Sequence, residues 1–128
     1  MKLFAVGIAG SVLYLCSFAG SAVAQDKGYI GEILDSNCAK TGSHETMLKK
    51  EGMGDMDAND VRTKQICTNN CVNKMGAKYA LYTRSKGSLQ LNDQVKAAQF
   101  AGLKVRITGT VDRASKKIRV TDMKEEAY

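Results

Sequence analysis

The chain is 128 residues long and carries 19 Lys and Arg against 13 Asp and Glu, a formal charge of +6. One domain fits that length and a second does not. The basic residues fall in ones and twos rather than in a stripe, so the surplus implies a weak general attraction to polyanions and no nucleic-acid site.

Residues 1–24 read as an export signal. Lys2 precedes an apolar run over 3–18, and small residues lead to Ala22-Val23-Ala24, an A-x-A cleavage site before Gln25. The run is about 16 residues, short against the ~20 that span a bilayer, and its Gly and Ser weaken it further. Leu15 stands where a lipoprotein signal needs a small residue before Cys16. Cleavage after Ala24 leaves a secreted or periplasmic domain, 25–128, of 104 residues (128 − 24), with a charge of +5 (6 − 1 for Lys2) and no membrane span.

Residues 27–36 (KGYIGEILDS) predict a first strand, with Tyr29, Gly31 and Ile33 on one face and Ile30, Glu32 and Leu34 on the other. Residues 37–59 are polar and rich in glycine. They lack periodicity and read as a long loop, with one helical turn at 45–51. Residues 59–76 (NDVRTKQICTNNCVNKMG) predict a helix. Asn59 or Asp60 can cap its start, and Gly76 suits the left-handed position past its end. Cys67, Cys71 and Met75 recur every four residues on one face of it.

Strands at 78–84 (KYALYTR) and 88–92 (SLQLN) flank Ser85-Lys86-Gly87, a hairpin turn. Asp93 then caps a short helix with Val95, Ala98 and Ala101 inward, closed by Gly102. In 103–113, Val105, Ile107 and Val111 alternate with Lys104, Arg106, Thr108 and Thr110. In 116–124, Ile118 and Val120 alternate with Lys117, Arg119 and Thr121, after a turn at Ala114-Ser115-Lys116. The order β-α-β-β-α-β-β predicts a mainly β domain, a five-stranded OB-fold-like barrel with residues 37–76 inserted after the first strand. Closure suits a short chain because it reduces exposed strand edges. With no proline or tryptophan, the core rests on Val, Ile, Leu, Tyr and Phe100.

The pattern GYIGEILDSNC…H…C…CVNKMGAKYALYT…DQVKAAQFAGLKVRITGTVD…IRVTDM resembles an uncharacterised family of small secreted bacterial proteins. Those carry a D-S-x-C start, a nearby His, C-x-x-x-C-V followed by G-A-K-Y, and a strand ending in T-G-T. The resemblance covers residues 28–123 and implies that Cys38, His44, Cys67 and Cys71 travel together. It attaches no activity to them. Here Ala39 stands where the family often has Gly, and the interval to His44 is longer.

Cys16 departs with the signal, leaving three cysteines in an oxidising compartment, an odd number. Two arrangements fit. A disulfide joins Cys38 to Cys67 or Cys71 across a flexible loop of ~30 residues, worth roughly 3–4 kcal/mol in the chain-entropy account. Cys67 and Cys71 themselves sit about 6 Å apart along one helix, near the long end of the ~4.4–6.8 Å that bridged Cα atoms allow. Alternatively Cys38, His44, Cys67 and Cys71 form a Cys₃His metal set for zinc, or for Cu(I), which also tolerates the thioethers of Met47, Met53 and Met56. A thiol redox pair needs a cysteine at a helix N-terminus, and both helical cysteines lie further in.

No serine elbow, paired carboxylate motif or phosphate-cradling loop is present, and His44 is the sole imidazole. Asp35 reads as a turn cap. Tyr29, Tyr79 and Tyr82 fit a half-buried strand position or a stacking face of the barrel. The expected function is a non-catalytic extracytoplasmic binding or structural module whose Cys/His cluster anchors the inserted loop and helix. A periplasmic metal-binding protein and a thiol redox protein are the alternatives.

Overall fold

The computed structural model describes residues 26–127, so the export signal read over 1–24 lies outside the described residues. In chain order the elements are β1 (Lys27–Asp35), α1 (Glu45–Lys50), α2 (Val61–Met75), β2 (Tyr79–Thr83), β3 (Gly87–Leu91), α3 (Gln94–Ala98), β4 (Lys104–Asp112) and β5 (Lys117–Glu125), with a 3-10 turn at Cys38–Lys40. The protein is mainly β, as expected. Its five strands form one mixed sheet that closes in a ring in the order β1-β2-β3-β5-β4. In the insertion, the helical turn expected at 45–51 is the six-residue α1, which precedes α2. No helix among the described residues is long and apolar enough to cross a membrane.

Alternation places Ile33, Leu81, Leu89, Val105, Ile107 and Ile118 inside the ring, where they form one buried core. β1 splits its length between two partners, pairing with β4 over Lys27–Glu32 and with β2 over Glu32–Asp35. At its end both faces are covered: Ile33 enters the ring core, while Leu34 packs with Ala39 and Ala80 beneath the insertion. β4 and β5 pair along their whole length, with one register shift opposite Thr108 and Gly109. That shift leaves Thr121 unpaired and turns Met123 inward after Ile118, a break in alternation that period-two reading misses. The ring closes through a short parallel seam, Gln90 beside Lys117 and Leu91 beside Ile118.

Around α3 the inward facing expected of Ala101 holds, while that of Val95 and Ala98 is corrected. Val95 is 80% exposed, and Ala97 and Ala101 are the buried pair. Asp93 caps the helix as expected, accepting the Lys96 N–H at 2.9 Å. The rotation is set by Gln94. Its Oε1 accepts the Tyr79 N–H at 2.7 Å, and its Nε2 donates to the carbonyls of Tyr79 and Leu91, both at 2.9 Å. Gln94 pinned against β2 sends Val95 outward.

Candidate metal centre

Asp35, the last residue of β1, is fully buried. Its Oδ1 accepts the N–H groups of Asn37 and Cys38, both at 3.0 Å, and so turns the chain out of the strand. The Cys38 carbonyl then accepts the N–H groups of Thr41 at 3.2 Å and Gly42 at 2.8 Å, which closes the turn. Gly42 has φ +73°, a conformation that favours glycine, and a Cβ there would clash with the outer end of the Tyr82 ring. Two residues on, His44 opens α1. Its carbonyl accepts the Leu48 N–H at 2.9 Å, while the capping bond to Glu45 N–H comes from Ser43 Oγ at 3.2 Å. The imidazole is left without a capping role and is 2% exposed.

α2 begins and ends as the sequence suggests. Asp60 Oδ2 accepts the Thr63 N–H at 3.0 Å, and Gly76 closes the helix at φ 70°. Three ties seat α2 on the ring. Lys64 Nζ pairs with Glu32 of β1 at 3.0 and 3.1 Å, and Tyr79 of β2 donates its hydroxyl to Asn69 Oδ1 at 2.8 Å. The backbone of Gln65 presses on Gly102, where a Cβ would lie 2.6 Å from the Gln65 nitrogen. Cys67 and Cys71 thereby point one helical turn apart into the space above Cys38. Met75, third in the same spacing, is 44% exposed and lies outside the cluster.

The expected ligands fall in two overlapping trios that share Cys38. The sulfurs of Cys38, Cys67 and Cys71 lie within 4.8 Å of one another, and all three thiols are free and buried. Asp35, Cys38 and His44 likewise bring a carboxylate oxygen, a sulfur and a ring nitrogen within 4.8 Å. Leu48 and Ala77 complete this small interior, with Met47 and Met53 packed at its edge and Met56 exposed. Asp35 is the member that spacing does not reveal. Its reading as a turn cap is correct for Oδ1, but Oδ2 is buried without a partner. The available signal was a carboxylate three residues before a cysteine at the end of an apolar strand.

The unpaired atoms are informative. Both ring nitrogens of His44 and Asp35 Oδ2 are buried with no hydrogen-bond partner, an arrangement that costs free energy unless another partner exists. The thiols are not equivalent either. The hydrogen bond with Cys67, then burial, pushes Cys38 up. The same bond holds Cys67 well below the ordinary thiol range, and the nearby imidazole pulls in the same direction. Burial, then the Asp35 charge, pushes Cys71 up.

Beside the cluster lies a cleft of about 790 Å³ between the insertion and the strands β1, β2 and β4. His44 forms part of its wall, and none of the three cysteines does. Lys64, Arg84 and Lys104 line it with one acid, Glu32. Of the three tyrosines suggested for a ligand face, only Tyr82 lines this cleft; Tyr79 is buried and Tyr29 packs on the ring core.

Compared with known proteins, the chain matches no protein family, no curated protein and no solved structure.

Proposed function

We propose that the chain is an extracytoplasmic, non-catalytic OB-like module in which Cys38, Cys67, Cys71 and His44 hold a zinc ion that fastens the inserted segment to the ring. The ring order, the parallel seam between β3 and β5 and the helix between β3 and β4 support the OB-like barrel reading. Export through residues 1–24, and kinship with the secreted family that resembles this chain, belong to the same proposal. A metal also explains how three thiols persist in an oxidising compartment.

The observation that carries the reading is His44, buried beside the free thiols of Cys38 and Cys67 with no well-formed hydrogen bond to either nitrogen. One ion and one hydrogen bond satisfy every orphan atom at the cluster except the Thr68 hydroxyl of α2. One imidazole nitrogen ligates, the other N–H donates to Asp35 Oδ2, and the carboxylate fixes the tautomer, a common arrangement behind histidine ligands. Sulfurs about 2.3 Å from a tetrahedral centre are ~3.8 Å apart, so sulfurs within 4.8 Å need to draw in by no more than about 1 Å. A disulfide requires ~2.05 Å between two of them, leaves the third thiol over, and does nothing for His44. The redox reading fares worse, because all three thiols are 1% exposed and Cys67 lies well inside α2.

Elemental analysis of natively purified, exported protein should give one zinc per chain, with three alkylatable thiols by intact mass after chelation. Loss of two hydrogens with a single alkylatable thiol, and no metal, would sink the proposal in favour of the disulfide. Copper at the same stoichiometry would keep the site and change the ion.

A further inference from the structure

Resting on the metal-holding reading above, we propose that the cleft over His44 is the route by which the metal comes and goes. The molecule it receives is an anionic metal complex, such as a polycarboxylate chelate, rather than the free cation.

The first support is access. Cys38, Cys67 and Cys71 are each 1% exposed and covered by Leu48 and Ala77, with Met47, Met53, Ala58 and Val72 packed around them. An ion does not cross such an apolar cover readily. His44 is the ligand that borders the cleft. Neither ring nitrogen has a well-formed hydrogen-bond partner, so packing and the neighbouring Cys67 thiol are what hold the imidazole, and its rotation gives up little else. It is placed as a door between the cleft and the sulfurs.

The second support is charge. The wall carries Lys64, Arg84 and Lys104 against Glu32, and Glu126 lies near enough to feel the Lys104 charge, a net of one positive charge (3 − 2). Glu32 is engaged by Lys64 and sits opposite Lys104 across the β1–β4 pair. A bare divalent cation is repelled by that wall, whereas an anionic complex is drawn to it, an effect worth roughly 10- to 10³-fold in association rate. The about 790 Å³ of the cleft accommodates a small chelate. Exchange then proceeds by ligand substitution: carboxylates of the chelate and the thiolate and imidazole donors trade places on the ion, with no electron transferred.

The test follows zinc withdrawal from the zinc-loaded protein by two chelators, tetra-anionic EDTA and a neutral pyridyl-amine. Arg84→Glu with Lys104→Glu reverses two cations of the cleft. Lys117→Glu with Arg119→Glu makes the same charge change on β5, among exposed side chains on the far side of the ring. The cleft variant should slow EDTA at least tenfold and leave the neutral chelator within twofold. The β5 variant should leave both near wild type. Equilibrium zinc affinity, measured by competition, should be unchanged in both variants, which also shows that they fold. Equal slowing by both variants, or slowing of both chelators alike, overturns the cleft as the route. A chain that takes up no zinc overturns this inference together with the reading beneath it, whereas one that binds zinc but ignores the cleft charges overturns this inference alone.

Discussion

Metal removal should release the segment between β1 and α2 while the ring and α2 stay folded. Of residues 37–59, only Cys38, Ala39, His44 and Leu48 are buried, and two of these four are proposed ligands. α1 has six residues, too few to persist as a helix without support. By contrast, α2 is held by Lys64–Glu32, Asn69–Tyr79 and the Gln65–Gly102 contact, none of which involves a sulfur. Zinc at 1,000 times its dissociation constant stabilises the closed segment by about 4.1 kcal/mol, a factor of about 1,000 in the opening equilibrium. Trypsin reads that opening at Lys40, Lys49 and Lys50, whose side chains are exposed but whose backbone is wound. When closing outpaces cleavage, the cut rate follows the open population. Chelation should therefore speed cutting at these lysines by up to about 1,000-fold, while Arg62, Lys74 and the strand lysines stay resistant. Acceleration spread evenly along the chain would mean that insertion and ring open as one unit. No acceleration at Lys49 and Lys50 would mean that no metal fastens them.

Asp35→Asn keeps the oxygen that caps the turn and replaces the buried, unpartnered one, proposed to accept from His44, with a donor; zinc affinity should fall roughly 10- to 100-fold, measured by competition titration, with secondary structure intact by circular dichroism. Gly102→Ala puts a methyl 2.6 Å from the Gln65 nitrogen at φ +75° and should destabilise the fold by about 1–3 kcal/mol, read as a lower urea midpoint; an unchanged midpoint would show that α2 is not pressed on the ring there. Tyr79→Phe removes the hydroxyl that meets Asn69 at 2.8 Å and should cost about 1 kcal/mol without altering zinc affinity. Glu32→Ala and Lys64→Ala, with side chains 27% and 14% exposed, should couple by no more than about 1 kcal/mol in a double-mutant cycle of denaturation.

Much of the architecture is legible because period-two patterning and turn chemistry agree over β2 to β5, and because Asp60 and Gly76 mark both ends of α2. Residue type alone picks out Cys38, Cys67 and Cys71, which meet, and His44, which joins Cys38. What escapes is set by tertiary partners. The side chain of Gln94 acts as a strand partner for Tyr79 and rotates α3 away from its apolar pattern. Thr121 bulges and moves the inward position to Met123. Leu48 finds its burial only against Cys67 and Cys71, which lie far along the chain, so α1 shows no local amphipathic signal. Asp35 looks like a simple cap until its second oxygen is found buried without a partner. The cleft draws its cations from α2, the turn after β2 and β4, elements whose adjacency no single window of sequence contains.

The short parallel closure between β3 and β5 has its own consequence. Two main-chain pairs hold it, reinforced by Gln90 N–H to the Lys116 carbonyl at 2.9 Å and Val120 N–H to Asn92 Oδ1 at 2.9 Å. It faces β1 across the ring, two strands away by either path. Thermal breathing should begin at this lip, and the sulfur-bearing side need not feel it. The hoop flexes at its clasp while the jewel-setting opposite stays rigid, so loop grafts at 113–116 should spare the cluster.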